Sequence, residues 1–215
     1  MTISVTLINS YGDDYTAAEA ARVSTRGTAR EDVDRDNRLI DYLLSNAHTS
    51  PFEHAGATFC IKTPIFSARQ IMRHRTFSYN EISRRYTSGD VEFYVPQKLH
   101  TQHSQRLQCS TDQEPVGSLF LIEHIKNHMM QSLDLYHHLL ERGVSREQAR
   151  YVLPLNTMTT FWMTGNLHNW LRFLSLRTHT DTQEETRIVA QAIKLHLSSI
   201  FPATLDLYQR LNEDQ

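Results

Sequence analysis

The chain has 215 residues, 40% of them hydrophobic and 21% charged, the balance of a soluble globular protein with one sizeable core. Its 22 lysines and arginines against 24 acidic residues leave a net charge of −2. That excludes a global field recruiting nucleic acid or an anionic membrane, so any bound anion must be held by a local cluster. Cys60 and Cys109 are too far apart to suggest a disulfide framework, the first residues lack the pattern of a signal peptide, and no segment approaches the ~20 apolar residues that span a bilayer. The expectation is a cytoplasmic protein with no membrane partner.

Residues 3–8 alternate weakly and are rich in β-branched types, which predicts a short opening strand. Thr16 followed by Glu19 predicts a capping box that opens a helix over 17–23. The polar run 25–37 predicts a loop, and 39–44 a short helix. Ala57, Phe59 and Ile61 alternate with Thr58, Cys60 and Lys62, the period of a half-buried strand. Pro64 opens a predicted helix running through Ile71 and Met72 to Arg75. Val91, Phe93 and Val95 then alternate with Glu92 and Tyr94 and predict another strand. Residues 97–116 are polar and bordered by Pro96 and Pro115, a surface excursion that is either mobile or the cover of a site.

The C-terminal half reads as helix. Ile122, Ile125, Met129, Leu133, Tyr136 and Leu140 step by threes and fours, and Gly143 stands where that helix stops. Ser145 with Gln148 predicts another capping box, with the helix ending near Pro154. Asn166 caps a helix whose apolar face is Leu167, Trp170, Leu171 and Leu174, and a last helix spans roughly 182–201. No repeat or linker divides the chain, so 1–215 is expected to be one α+β domain, strands early and helices late.

The most unusual segment runs from Gln70 to Tyr86 and holds four arginines, a histidine, two serines, an asparagine and a glutamate in seventeen positions. On a continuous helix Gln70 and Arg73 share a face, with His74 one turn beyond Gln70. Guanidinium forks bind phosphate bidentately, and serine hydroxyls add short donors. A solvated basic helix end and a nucleic-acid patch are the competing readings. Both fit poorly, because Phe77, Tyr79, Ile82 and Tyr86 are interleaved and the chain is slightly acidic. A second unusual segment, Asn166 to Arg177, places Asn166, Trp170, Leu174 and Arg177 along one side at helical spacing. Arg177 there either caps its own helix C-terminus or extends the apolar stripe and needs an acceptor. The loop Pro51-Phe52-Glu53-His54, with Ser50, brings polar groups to the start of a strand.

The spacing Arg73-His74-Arg75, seven residues, then Ser83, with Asn80, Glu81, Arg85 and Tyr86 in register, resembles the signature of flavin-dependent thymidylate synthases. The loop at Pro51–His54, the helix end from Arg150 to Asn156 and the segment Asn166–Arg177 resemble the same family in the same order. The resemblance implies an α/β fold with a long-helix core and a small, mainly antiparallel sheet. It further implies a homotetramer whose active sites are shared between subunits. It assigns FAD to Arg73, His74 and Arg75 with Ser50, Glu81, Asn166, His168 and Arg172. It assigns dUMP to Gln70, Arg73, Glu81, Ser83, Arg84, Arg85, Arg150 and Arg177, with Arg177 the catalytic arginine beside the uracil ring. The implied reaction methylates dUMP to dTMP with 5,10-methylenetetrahydrofolate as carbon donor and reduced FAD as hydride donor. NADPH reduces the flavin, and no enzyme nucleophile takes part.

Three residues depart from the pattern. Many relatives have arginine where His168 stands, asparagine where Arg172 stands and histidine where Asp181 stands. His168 and Arg172 are one helical turn apart, so Arg172 is placed to serve the flavin phosphate in place of the missing arginine. Two other functions have some support in the sequence. His124 and His128 have the spacing of a metal pair, but His-Ile-Lys-Asn-His lacks the glutamate base of a zinc hydrolase helix, so no metal is expected. A nucleotide- or RNA-binding module would predict steep salt dependence, and the near-neutral charge argues against it.

Overall fold

The computed structural model describes residues 2–24, 32–87 and 89–213. It opens with β1 (Ser4–Tyr11), longer than predicted, and α1 (Thr16–Val23). The cap of α1 is Asp13 rather than Thr16 with Glu19. The Asp13 carboxylate accepts from the amides of Tyr15 and Thr16, and the Thr16 hydroxyl accepts from the amide of Asp13. Helix α2 (Val33–Ser45) begins inside the predicted loop, because Asp32 accepts from the Arg35 amide at 2.9 Å and caps it. Residues 25–31 of that predicted loop lie outside the described residues. A 3-10 turn (Ser50–His54) leads into β2 (Gly56–Pro64), then α3 (Ile65–Ile71) and β3 (Ser78–Glu81).

The long helix α4 (Ser118–Glu141) buries Ile122, Met129 and Tyr136 from the predicted stripe and packs chiefly on α5 (Arg146–Ala149) and a 3-10 turn at Arg150–Val152. Ser145 is the N-cap of α5 by position, but its side chain makes no capping bond. Strand β4 (Met158–Asn166) passes directly into α6 (Leu167–Arg177), followed by α7 (Glu184–Ile200) and α8 (Pro202–Glu213). The last predicted helix, roughly 182–201, is α7 to within two residues at either end, and a further helix that was not predicted begins at Pro202.

The four strands form one antiparallel sheet in the order β1-β2-β4-β3. The predicted strand at 91–95 is absent. Phe93 makes only an isolated bridge to Thr157, and the edge next to β4 is taken by Ser78–Glu81. Phe59 and Ile61 of β2 and Phe161 and Met163 of β4 face the helices. There they meet Trp170, Phe173 and Leu174 of α6, Val189, Ile193 and Leu197 of α7, and Leu205 of α8 in one buried cluster. The opposite sheet face, with Cys60, Lys62 and Trp162, stays partly open.

One glycine ties this core to the arginine-rich segment. A Cβ on Gly165 would fall inside contact distance of the Phe77 ring, which is itself edge-on to Trp170 at 4.5 Å. Gly165→Ala is therefore expected to destabilise the fold by about 2 kcal/mol, the usual cost of overpacking. Calorimetry should show the unfolding temperature falling by roughly 4–8 °C.

Candidate active site

Helix α3 was expected to carry Gln70, Arg73 and His74 on one continuous face. It ends at Ile71 instead, and residues 72–77 form a turn into β3. The reason lies across the turn. Tyr79 is on the core-facing side of β3, opposite Met163, and its hydroxyl donates to the carbonyls of His74 (2.9 Å) and Ile71 (3.1 Å). Burial raises the Tyr79 pKa well above the usual phenol value, so the hydroxyl stays a donor. The turn leaves Arg73 and Arg75 exposed and points His74 inward, where its ring stands edge-on to Phe173 at 4.9 Å.

Arg177 is the last residue of α6, and its guanidinium crosses to this turn rather than capping its own helix. Its Nε donates to His74 Nε2 at 2.9 Å, and one Nη donates to the Gln70 carbonyl at 3.1 Å. The helix end is closed by Thr178, whose hydroxyl donates to the Leu174 carbonyl. Burial, with the positive charges of Arg177 and Arg172, lowers the His74 pKa to about 4, which keeps the imidazole a neutral acceptor near neutral pH. Burial also lowers the Arg177 pKa, opposed by Tyr79.

The Gln70 side chain is fixed from α7 and its approach: its amide nitrogen donates to Gln183, and its oxygen accepts from the buried Thr186 hydroxyl at 3.3 Å. Gln70 and Arg177 line a cavity of about 1280 Å³ together with residues of the 98–112 and 179–184 segments. The surface excursion thus forms part of the lining of this cavity. Three contacts pin it: an Arg106–Asp181 ion pair, His100 Nε2 to Glu184 at 3.1 Å, and the Cys109 thiol donating to the Asp181 carbonyl at 3.8 Å. Asp181, one of the departures from the family pattern, serves here as an anchor for that segment.

A second group lies along α6. The Asn166 side chain caps this helix by accepting from the Asn169 amide at 3.0 Å, and the Asn169 side chain donates to the Thr76 carbonyl of the signature turn. The 3-10 turn of Ser50 is joined to the same helix start by the Leu167 amide, which donates to the Ala55 carbonyl at 2.7 Å. Burial and then Arg172 lower the His168 pKa, while Glu53 opposes them. The charge of Arg172 is felt by both His74 and His168, which links these three of the groups assigned to the cofactor. Ser50 itself lines a separate pocket of about 480 Å³ with Arg22, His48 and His54.

The other residues assigned to the nucleotide form a third group. Glu81 accepts from the Thr159 hydroxyl at 2.6 Å, and Ser83 accepts from the Arg85 amide. The Arg84 guanidinium donates to the carbonyls of Gly89 and Asp90. Arg85 is 3.7 Å from the Glu147 carboxylate, and Arg150 donates to the Glu147 carbonyl. Among the described residues no hydrogen bond or ion pair joins Arg84, Arg85 or Arg150 to the Arg177 group. The sequence reading gave no role to Tyr79, Thr159, Gln183, Thr186 or Arg106. Each acts through a partner between 75 and 116 positions away or through a backbone carbonyl, and no local pattern marks such contacts. Of the histidine pair, His124 is exposed and lies against the Phe120 ring, and no described helix is long and apolar enough to cross a membrane.

Comparison with known proteins gives a consistent answer. A family model described as "Thymidylate synthase complementing protein" matches residues 6–203. The flavin-dependent thymidylate synthase of Pseudothermotoga lettingae is 41% identical over 206 residues, covering 96% of this chain and 90% of its own. That of Thermus thermophilus is 44% identical over 193 residues, covering 88% and 69%. Among solved structures, the UMP/dUMP methylase PolB from Streptomyces cacaoi, bound with 5-Br dUMP, superposes with a TM-score of 0.90 at 32% identity. That match covers 97% of this chain and 95% of PolB. With its signature turn, its late helix and nearly its whole length matched, the chain belongs to the flavin-dependent thymidylate synthase family.

Proposed function

We propose that this chain methylates dUMP to dTMP, taking the methylene of 5,10-methylenetetrahydrofolate and using FAD that NADPH reduces. The observation that carries the reading is Arg177 in the lining of the cavity, anchored by two neutral acceptors that take two of its five N–H groups. A fixed cation beside a uracil ring stabilises the negative charge that develops when the pyrimidine carbon attacks an electrophile. Gln70, held by Gln183 and Thr186, borders the same cavity and supplies a polar edge for orienting the base.

The residues present fit a phosphate-bearing flavin. Arg73, Arg75 and Arg172 are exposed cations, and the Asn169 side chain ties α6, which carries Arg172, to the turn that carries Arg73 and Arg75. When bound, that cofactor supplies the hydride, while the protein orients the reactants and sets the charge around them. Arg172→Ala is expected to weaken FAD retention about tenfold by removing a charge-assisted bond, and fluorescence titration of FAD measures it. Unchanged affinity would remove Arg172 from the cofactor site.

Arg84, Arg85, Ser83 and Arg150 are suited to the nucleotide phosphate, yet no bond ties them to Arg177 within the chain. A site completed by a neighbouring subunit of a homotetramer accounts for this separation. Mixing Arg177→Ala with Arg150→Ala subunits should then restore activity that neither variant has alone. No thiol is needed as nucleophile. Cys60 lies on the open sheet face, and Cys109, though it borders the cavity, spends its S–H on the Asp181 carbonyl. Cys109→Ser is expected to form dTMP at a rate within about threefold of the parent, whereas loss of an attacking thiol would abolish it.

The direct test is NADPH oxidation by FAD-reconstituted protein with and without dUMP, followed by dTMP formation with methylenetetrahydrofolate. Stimulation by dUMP places flavin and nucleotide in one working site. Absence of FAD binding, or no effect of dUMP, overturns the reading. UMP belongs in the same assay, because the structural relative PolB is described as acting on both nucleotides.

A further inference from the structure

The way Arg177 is held has a chemical consequence. A guanidinium is most often fixed by a carboxylate, which draws its charge into an ion pair. Here neither anchor is charged. His74 Nε2 accepts from Nε at 2.9 Å, so that nitrogen carries no proton and the imidazole bears its proton on Nδ1. The second anchor is a backbone carbonyl, that of Gln70. No salt bridge to Arg177 exists among the described residues. Nε and one Nη hydrogen therefore serve as the hinge, and Arg177, its charge paired with no carboxylate among the described residues, lines the cavity.

Resting on the proposed methylation of dUMP, we propose that His74 is a positioning residue: a neutral acceptor that aims Arg177 at the pyrimidine without neutralising it. The surroundings of His74 serve that task. Phe173, one turn before Arg177 on the same helix, stands against its ring, and Phe77 packs beside it at 6.4 Å. Tyr79 holds its carbonyl. The ring is thereby fixed to both the helix that carries Arg177 and the turn that carries His74. The low basicity that burial and the two arginines impose keeps the acceptor unprotonated through the working range. A carboxylate in its place would orient Arg177 equally well and spend its charge. This role is distinct from holding the flavin, which the resemblance assigns to His74.

Three substitutions separate the possibilities. His74→Gln puts a neutral oxygen near the Nε2 position, His74→Leu removes the acceptor while keeping bulk, and His74→Glu keeps an acceptor but adds a negative charge. With FAD saturating, so that any weaker cofactor binding is offset, His74→Leu should lower kcat for dTMP formation about 30-fold, and His74→Gln should recover most of that loss. His74→Glu should fall as far as His74→Leu. A loss of FAD affinity with kcat unchanged at saturating FAD would overturn the proposal and return His74 to the cofactor. So would His74→Gln matching His74→Leu, or His74→Glu matching the parent. The Arg177 Nε–H resonance supplies a readout independent of turnover. It should exchange slowly with solvent in the parent and in His74→Gln, and rapidly in His74→Leu. If the parent fails to make dTMP but shows this exchange pattern, the functional reading falls while the anchoring stands. Rapid exchange in the parent sinks the anchoring itself.

Discussion

Arg177→Ala is expected to lower the rate of dTMP formation by about 10²–10³-fold, the cost of removing a preorganised group from beside a developing anion. The loss should appear in kcat and kcat/KM together, because the interaction strengthens as charge moves onto the ring. Arg177→Lys keeps a charge but not the planar fork. A lysine ammonium satisfying His74 Nε2 has fewer donors and poorer geometry for the substrate, so an intermediate loss is expected. Folding should change little by comparison. The substitution leaves two half-exposed acceptors, the Gln70 carbonyl and His74 Nε2, which water can reach, so about 1 kcal/mol is the expected cost. Steady-state dTMP formation together with a thermal melt checks both halves. Turnover within threefold of the parent would remove Arg177 from the catalytic centre.

Trp170→Ala is expected to have the largest effect on stability, about 3–5 kcal/mol, the range for deleting a buried aromatic from a tight core. Trp170 is fully buried. Its ring is edge-on to Phe59 at 5.1 Å, Phe77 at 4.5 Å and Phe173 at 5.8 Å, so it joins the sheet, the signature turn and its own helix. Its Nε1 also donates to the Ala57 carbonyl at 3.2 Å. Alanine leaves a cavity at that junction and a buried carbonyl without its side-chain donor. Trp170→Phe keeps most of the packing and loses only the donor, so about 1–2 kcal/mol is expected. Urea unfolding of the two variants separates the packing contribution from the hydrogen bond. Since single domains are stable by only about 5–15 kcal/mol, the alanine variant should be partly unfolded at moderate temperature.

The comparison of these two positions shows what can be read locally. Trp170 stands four residues after a capping asparagine on an apolar face, so both its helix and its burial are local properties of the sequence. Strand β2 declares itself the same way, through Ala57, Phe59 and Ile61 in strict alternation, and α4 through its stripe of Ile122, Met129 and Tyr136. The alternation at 91–95 is as regular as that of β2 yet forms no strand, because pairing needs a free neighbouring edge and β4 gives that edge to Ser78–Glu81. Strand β4 itself runs through alternating Thr159, Phe161, Met163 and Gly165, a pattern present in the sequence but unassigned between Pro154 and the capping Asn166.

The chemistry divides along the same line. Arginine, histidine and serine at fixed spacing between residues 70 and 86, and the late helix ending at Arg177, are local patterns, and they sufficed to identify the family. Where those residues point was decided by distant partners. Helix α3 stops at Ile71 because the hydroxyl of Tyr79 takes the carbonyls of Ile71 and His74. Arg177 leaves its own helix end because His74 Nε2 and the Gln70 carbonyl lie within reach. The polar 98–112 segment lies along the cavity where Asp181 and Glu184 hold it. Local pattern was enough for the helices α4, α6 and α7 and for the kinds of side chain at the site, though not for α8 or for where α2 begins and α3 ends. Only the tertiary structure decided which acceptor each donor meets, since a hydrogen bond depends on distance in space and not on separation along the chain.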